Sequence, residues 1–485
     1  MPNLKPTLFI SYLILLLGIH SSLIAQNNPV ARFIEVSPAN SSYLSFSDGQ
    51  TYIPIGINMI GPSGKYRNSE DSAFYEIEGW MKNLSANGGN YIRIWLSNSF
   101  WDMEEEAGKY SQEKISRIDR FIAMARKYHL RVKMTLEHFR SITLAENSQQ
   151  WATKFAYHKS HGGPLDSVRQ YLTTAAGQNL FLNKIDFYQK HFGSDTLFFG
   201  WELWNEMNAM SLPKDEVFMS WNKKMLAEVK KRFPENLVMQ SLGSFDGDYV
   251  RPLYKEMMSL PGNEVAQVHR YLDLGARLEV CHGPMDIICS SAVNELRSYH
   301  LRKPVMLAET GAVEPHHAGP SKYYPKDTAG ILLHDILFAP FFSGAAGTGM
   351  SWHWESYVAE NNLWYHFGRF SRAIAGIDPI KEAFKPSFVE TDSLRIYILK
   401  GKKTTLLWLR DKMNNWESEL ENGIAPKIIH HGKIDLRKIE VNSNSKKIQV
   451  YDPWKDTWTN IEKNNSRFVI LPDFKRSLVV KITQE

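Results

Sequence analysis

Apolar positions follow two rhythms along this chain. Short unbroken apolar runs occupy 52–58, 91–96, 131–136, 197–203, 237–241, 265–269, 304–308 and 349–354. Between them lie segments whose apolar residues recur every three to four positions: 73–86, 118–128, 180–192, 215–233, 292–299 and 330–339. The first rhythm fits buried strands and the second amphipathic helices. Strand and helix in alternation predict a parallel sheet. Eight strands favour a closed (β/α)8 TIM barrel over an open doubly wound sheet. No glycine-rich phosphate loop follows the first strand, which removes the dinucleotide-binding version of the open sheet. The link 139–174 is long and carries Trp151, Phe155, Tyr157 and His158, a loop length that usually serves function.

From about Phe388 the rhythm shortens to alternating segments at 394–399, 404–409, 447–451, 468–471 and 477–482, separated by turn residues. These predict a small all-β sandwich. The α/β domain is therefore expected over 26–385 and a C-terminal accessory sandwich over 386–485. At the start, Lys5 precedes an apolar run at 8–17, and Leu23-Ile24-Ala25 follows. This reads as a secretory signal peptide over 1–25, because the run is short for a membrane span. The mature protein is expected to be secreted, periplasmic or extracellular, with no membrane span.

Composition narrows the classes. With 43% hydrophobic and 22% charged residues the chain is globular. A net charge of +5 from 57 basic and 52 acidic residues does not point to nucleic acid. The two cysteines, Cys281 and Cys289, could pair in an exported protein, and the sequence leaves this open. Neither they nor the adjacent His316 and His317 have metal-ligand spacing, so no metal and no cofactor is expected.

In such a barrel, chemistry sits where strands end. The polar residues at those ends are Asn58, Arg93, His138, Asn205, Glu206, His269, Tyr271 and Glu309, with Trp352 and Trp354 after the eighth strand. Glu206 closes the fourth strand in Trp201-Glu-Leu-Trp-Asn-Glu-Met-Asn208, and Glu309 closes the seventh in Val305-Met-Leu-Ala-Glu-Thr-Gly311. Two acids facing each other across one rim suit glycoside hydrolysis, in which one donates a proton and the other faces the anomeric carbon. Glu202, Glu137 and Glu355 are rival acids nearby, and Glu202 is expected to be structural because it lies within the strand.

Trp204-Asn205-Glu206 followed three strands later by Leu307-Ala308-Glu309-Thr310-Gly311 resembles the retaining glycoside hydrolases of clan A, family 5-like (cellulase and mannanase type). Arg93, His138, His269-Arg270-Tyr271 and Ser351-Trp-His-Trp-Glu355 fall in the order of that family's strand-end residues. The resemblance covers roughly 50–380. It implies Glu206 as general acid/base and Glu309 as nucleophile. It also implies Asn58, Arg93, His138, Asn205, His269, Tyr271 and Trp354 as substrate-binding or orienting residues. Of Trp352 and Trp354, one is expected at the cleft and the other in the core; Trp354 is the expected cleft residue. The expected partner is a polysaccharide or oligosaccharide, β-mannan or β-glucan first, for a protein acting as a monomer. Exo-action on oligosaccharides and carbohydrate binding without catalysis are the alternatives. The C-terminal sandwich is not a feature of the simplest family members.

Overall fold

The computed structural model describes residues 32–66, 68–138, 155–209, 215–439, 447–461 and 467–483. The expected signal peptide and the first part of the link 139–174, up to Lys154, lie outside them. Five strands, Gly56–Asn58, Tyr91–Trp95, Arg131–Glu137, Phe198–Trp204 and Leu237–Met239, pair in parallel in chain order. Ala266–Leu272 and Val305–Ala312 form a second, two-stranded parallel sheet. Every residue of the six strands after Gly56–Asn58 except Arg131 is buried, which is why they read as continuous apolar runs.

The eighth predicted strand, 349–354, is reduced to bridges at Ser351. Ser351 pairs in parallel with both Ile57 and Thr310, and so ties the two sheets together. Asn58 N donates to Ser351 O at 3.1 Å, and Thr310 N to Met350 O at 3.0 Å. From Trp354 the chain turns into a π-helix, Trp354–Ala359, so the strand cannot continue. At the other edge, Glu264 N donates to Val238 O at 3.0 Å and Phe245 N to His269 O at 2.8 Å. Helices Glu70–Ala86, Gln112–Lys127, Ala175–Phe192, Asp215–Arg232, Arg251–Ser259, Met285–Arg297 and Ile331–Phe342 separate the strands.

A small antiparallel sheet of Ile34–Val36, Leu44–Phe46 and Thr51–Tyr52 precedes the first parallel strand. Tyr52, expected at the start of that strand, belongs with Thr51 to this sheet instead, and Pro54 separates the two.

The C-terminal region is a six-stranded antiparallel sheet that begins at Lys385–Glu390. One face, with Leu394, Ile396, Ile398, Leu407, Leu409 and Val480, packs on the ribbon formed by Lys433–Asp435 and Phe468–Ile470. The opposite face, with Tyr397, Leu399, Leu406, Trp408 and Val479, joins the large core that contains Ile331–Phe342. Burial of both faces explains why that helix is buried at all twelve positions. Two buried ion pairs cross this contact: Arg395 with Asp286 at 2.6 Å and Arg410 with Asp335 at 2.8 Å. Trp416 Nε1 also donates to Gly283 O at 2.9 Å. Cys281 and Cys289 are free and buried, so they form no disulfide. Among the described residues no helix is long and apolar enough to cross a membrane.

Candidate active site

Arg93 is the hub. Its position in Tyr91–Trp95 points it into the buried space between the strands, where it meets two carboxylates. Nη1 donates to Glu309 Oε2 at 2.7 Å, and Nη2 to Glu202 Oε2 at 2.7 Å. Nη2 also reaches Asn205 Oδ1 at 2.6 Å, and Nε reaches Thr135 Oγ1 at 3.1 Å. Glu202 is fully enclosed. Burial alone would raise its pKa, but Arg93, Lys133 and the Thr135 hydroxyl together hold it well below the usual carboxylate range. It is an ionised anchor beneath the site, as the sequence suggested.

Glu309 is aimed by a bulge. The register between Val305–Ala312 and Ala266–Leu272 slips between Leu307 and Glu309, which sets Glu309 opposite His269. Tyr271 Oη donates to Glu309 Oε1 at 2.6 Å. Burial and the Glu309 charge push the Tyr271 phenol far up, so it remains a donor. Arg93 on one oxygen and Tyr271 on the other hold the Glu309 carboxylate in place with charge-assisted hydrogen bonds.

Glu206 follows Phe198–Trp204 with a φ of 49°, a left-handed conformation that is costly for a glutamate. Its Oε1 lies 2.7 Å from His269 Nδ1. Burial first, then the Glu309 charge, raise its pKa; the His269 contact partly opposes them. A carboxyl whose pKa is raised therefore faces a carboxylate that accepts from Arg93 and Tyr271. One ligating atom each of Glu206, His269 and Glu309 lie within 4.8 Å of one another. A cation would meet Arg93 there, and both Glu309 oxygens already accept hydrogen bonds, so the set suits proton transfer better than metal binding.

The other expected residues fall around this centre. Asn205 is buried, and its Nδ2 has no partner among the described residues; the same holds for His269 Nε2. Asn58 spends its amide on Met350 O at 3.0 Å, on Ala308 O and Ser351 O at 3.3 Å each, and on Arg93. It thus stitches strand ends together. His138 stacks on Trp95 at 4.8 Å, with Ser97 Oγ 2.5 Å from its Nδ1. Trp95 in turn meets Trp352 at 5.0 Å. Trp354, expected at the cleft, is 5% exposed and packs edge-on against Trp80 of helix Glu70–Ala86 at 6.3 Å. Trp352 is the partly exposed member of the pair.

Glu137 is paired with Lys184 rather than with the site. Lys184 and Tyr157 both approach Glu104, which anchors the described end of the long link. The sequence reading missed Trp95, although it lies two residues beyond Arg93. It also missed His317, whose ring meets Tyr271 edge-on at 5.0 Å.

No protein-family model matches the sequence, and no curated protein matches it. Solved structures do match in fold. A structure described as a glycoside hydrolase superposes with a TM-score of 0.60 at 11% identity, over 94% of this chain and 97% of its own. A glycoside hydrolase family 5 protein from Bacteroides vulgatus superposes at 0.59 and 12% identity, over 93% of each chain. The family 5-like resemblance read from the strand-end motifs thus extends to the fold.

Proposed function

We propose that the chain is a secreted retaining glycoside hydrolase cleaving β-glycosidic bonds, with β-mannan or β-glucan as first candidate substrates. The observation that carries this reading is the facing pair: Glu206, whose pKa is raised by burial and by Glu309, and Glu309, held by Arg93 and Tyr271, with ligating oxygens within 4.8 Å. Retaining enzymes keep their carboxyls about 5–5.5 Å apart, whereas inverting ones need about 6.5–9.5 Å to admit a water. In this reading the eight parallel segments close as a (β/α)8 barrel over 26–385, 386–485 is an accessory domain, and residues 1–25 are removed on export.

The steps follow from the contacts. Glu309 attacks the anomeric carbon while Glu206 gives its proton to the departing glycosidic oxygen. A glycosyl ester on Glu309 results, and Glu206 is left ionised. Glu206 then takes a proton from water, whose oxygen attacks the same carbon and releases Glu309. Arg93 and Tyr271 orient the nucleophile, and His269 orients the acid. Asn205 Nδ2 and His269 Nε2, both without partners among the described residues, suit sugar hydroxyls. Trp352, beside Trp95 and His138, suits stacking under the sugar ring. Asn58 acts as a positioning residue.

The test is reducing-sugar release by residues 26–485 over mannans, glucans, xylan and galactans. Activity on one glycan, lost in both Glu206→Ala and Glu309→Ala, supports the reading. Silence on every glycan and on aryl β-glycosides overturns it.

A further inference from the structure

Three consecutive loops beyond the strand ends are knitted into one rim. Leu278 N donates to Asp246 O at 2.8 Å, which joins the first loop to the second. Asp273 joins the second to the third: its buried Oδ1 accepts from Gly275 N at 2.8 Å and from His316 N at 2.9 Å. The third loop crosses so close that a Cβ on Gly275 would lie 2.5 Å from His316 N. Tyr249, 65% exposed, is held from the same rim by Asp246 at 3.2 Å and by the Arg277 guanidinium 5.6 Å from its ring.

His316 and His317 sit at φ 61° and 56°, two successive non-glycine residues in the left-handed region. Such strain persists only where surrounding contacts impose it, and it concentrates at functional sites. What it achieves here is the placement of one ring. His317 stands edge-on to Tyr271, the phenol that holds Glu309, and its side chain remains 37% exposed. Its Nε2 lies 3.6 Å from Asp273 Oδ2, which leaves Nδ1 for an incoming group. The same rim borders Glu206: Phe245 N, beside Asp246, donates to His269 O at 2.8 Å, and His269 Nδ1 lies 2.7 Å from Glu206 Oε1, which puts the rim on the proton donor's side of the site. A proton donor faces the leaving group, and an imidazole offers the donor or acceptor that a sugar hydroxyl needs.

We propose that His317 is a specificity-determining residue: it binds a hydroxyl of the leaving-group sugar, in a subsite built by the loops that carry Asp246, Asp273 and His316. This inference rests on the hydrolase reading above, and the experiment separates the two.

The probes are mannohexaose and cellohexaose, whose leaving groups are sugars, beside 4-nitrophenyl β-glycosides of the same sugars, whose leaving group is not. The quantity read is the ratio of kcat/KM on the hexasaccharide to kcat/KM on the aryl glycoside. His317→Gly tolerates the left-handed backbone and removes the ring; it should lower the ratio at least tenfold. His317→Asn, which also tolerates that backbone and keeps a donor and an acceptor, should lower it less. His316→Gly should move it less than threefold. An unchanged ratio in His317→Gly, or a ratio lowered as far by His316→Gly, overturns this inference while leaving the hydrolase reading intact. A wild-type protein that cleaves neither probe overturns this inference, and silence on the whole glycan panel as well overturns both.

Discussion

Glu202→Gln tests whether the acid beneath the site is an anchor or a reacting group. Glu202 and Glu309 balance Arg93 and Lys133 in one enclosed cluster, two charges of each sign. The Glu202 side chain has no exposure, and it accepts from Arg93 at 2.7 Å and Thr135 at 2.6 Å. Removing its charge leaves one buried positive group uncompensated, a change that typically costs about 3–5 kcal/mol. At roughly 2 °C per kcal/mol, Tm should fall by about 6–10 °C. The loss should also depend on pH. Lys133 is pushed down to about 7 by burial, whereas in the unfolded chain it titrates near its usual value of about 10.4. Stability therefore rises with pH between those values, because the unfolded state holds the extra proton. Without Glu202 the folded value drops further and the rise starts at lower pH. The deficit should narrow between pH 5 and pH 8 by about 1.4 kcal/mol for each unit of that drop. Calorimetry at the two pH values reads this directly, and glycan hydrolysis should persist above the Glu206→Ala level. A variant with unchanged Tm at pH 5 and no hydrolysis would refute the reasoning and make Glu202 a chemical participant.

Three further outcomes are expected. His269→Ala removes the contact that opposes the upward shift of Glu206, so the basic limb of the kcat/KM profile should move to higher pH; a downward move would contradict the Glu206 environment described. Trp352→Ala should lower kcat/KM with little change in stability, whereas Trp354→Ala should lower the unfolding free energy by the roughly 3–5 kcal/mol of a buried aromatic truncation; the reverse pattern would restore Trp354 to the cleft. Arg395→Met and Asp286→Asn should each cost about 3–5 kcal/mol, and the double variant less than their sum in denaturant titration; additive losses would mean that the pair is not coupled.

The strands were legible because burial on both faces writes them as unbroken apolar runs. The facing acids were legible because strand ends can be counted. Arg93, Tyr271 and Glu309 then meet as the motif order implied. Other features depend on partners that no local pattern names. The sheet at Ile34–Val36, Leu44–Phe46 and Thr51–Tyr52 has strands of two or three residues, too short to show a period. A continuing strand would put Trp352 and Trp354 on one face; the chain instead turns into a π-helix at Trp354, and helix Glu70–Ala86 offers Trp80 to that ring. The bulge at Ala308 leaves no mark in composition. In Leu394–Lys400 the period of two is hidden, because helix Ile331–Phe342 covers the face that a free sandwich would leave polar. His317 looked like half of an unremarkable histidine pair, since its role rests on a backbone conformation.

The central claim is that Glu309 forms a glycosyl ester while Glu206 moves the proton. It is tested most directly by incubating residues 26–485 with activated 2-deoxy-2-fluoro β-mannosides and β-glucosides, then mapping the modified peptide by mass spectrometry. The account predicts one fluoroglycosyl adduct, located on Glu309 and absent from Glu309→Ala. An adduct on another residue, or hydrolysis that inverts the anomeric configuration by proton NMR with no adduct formed, would contradict it.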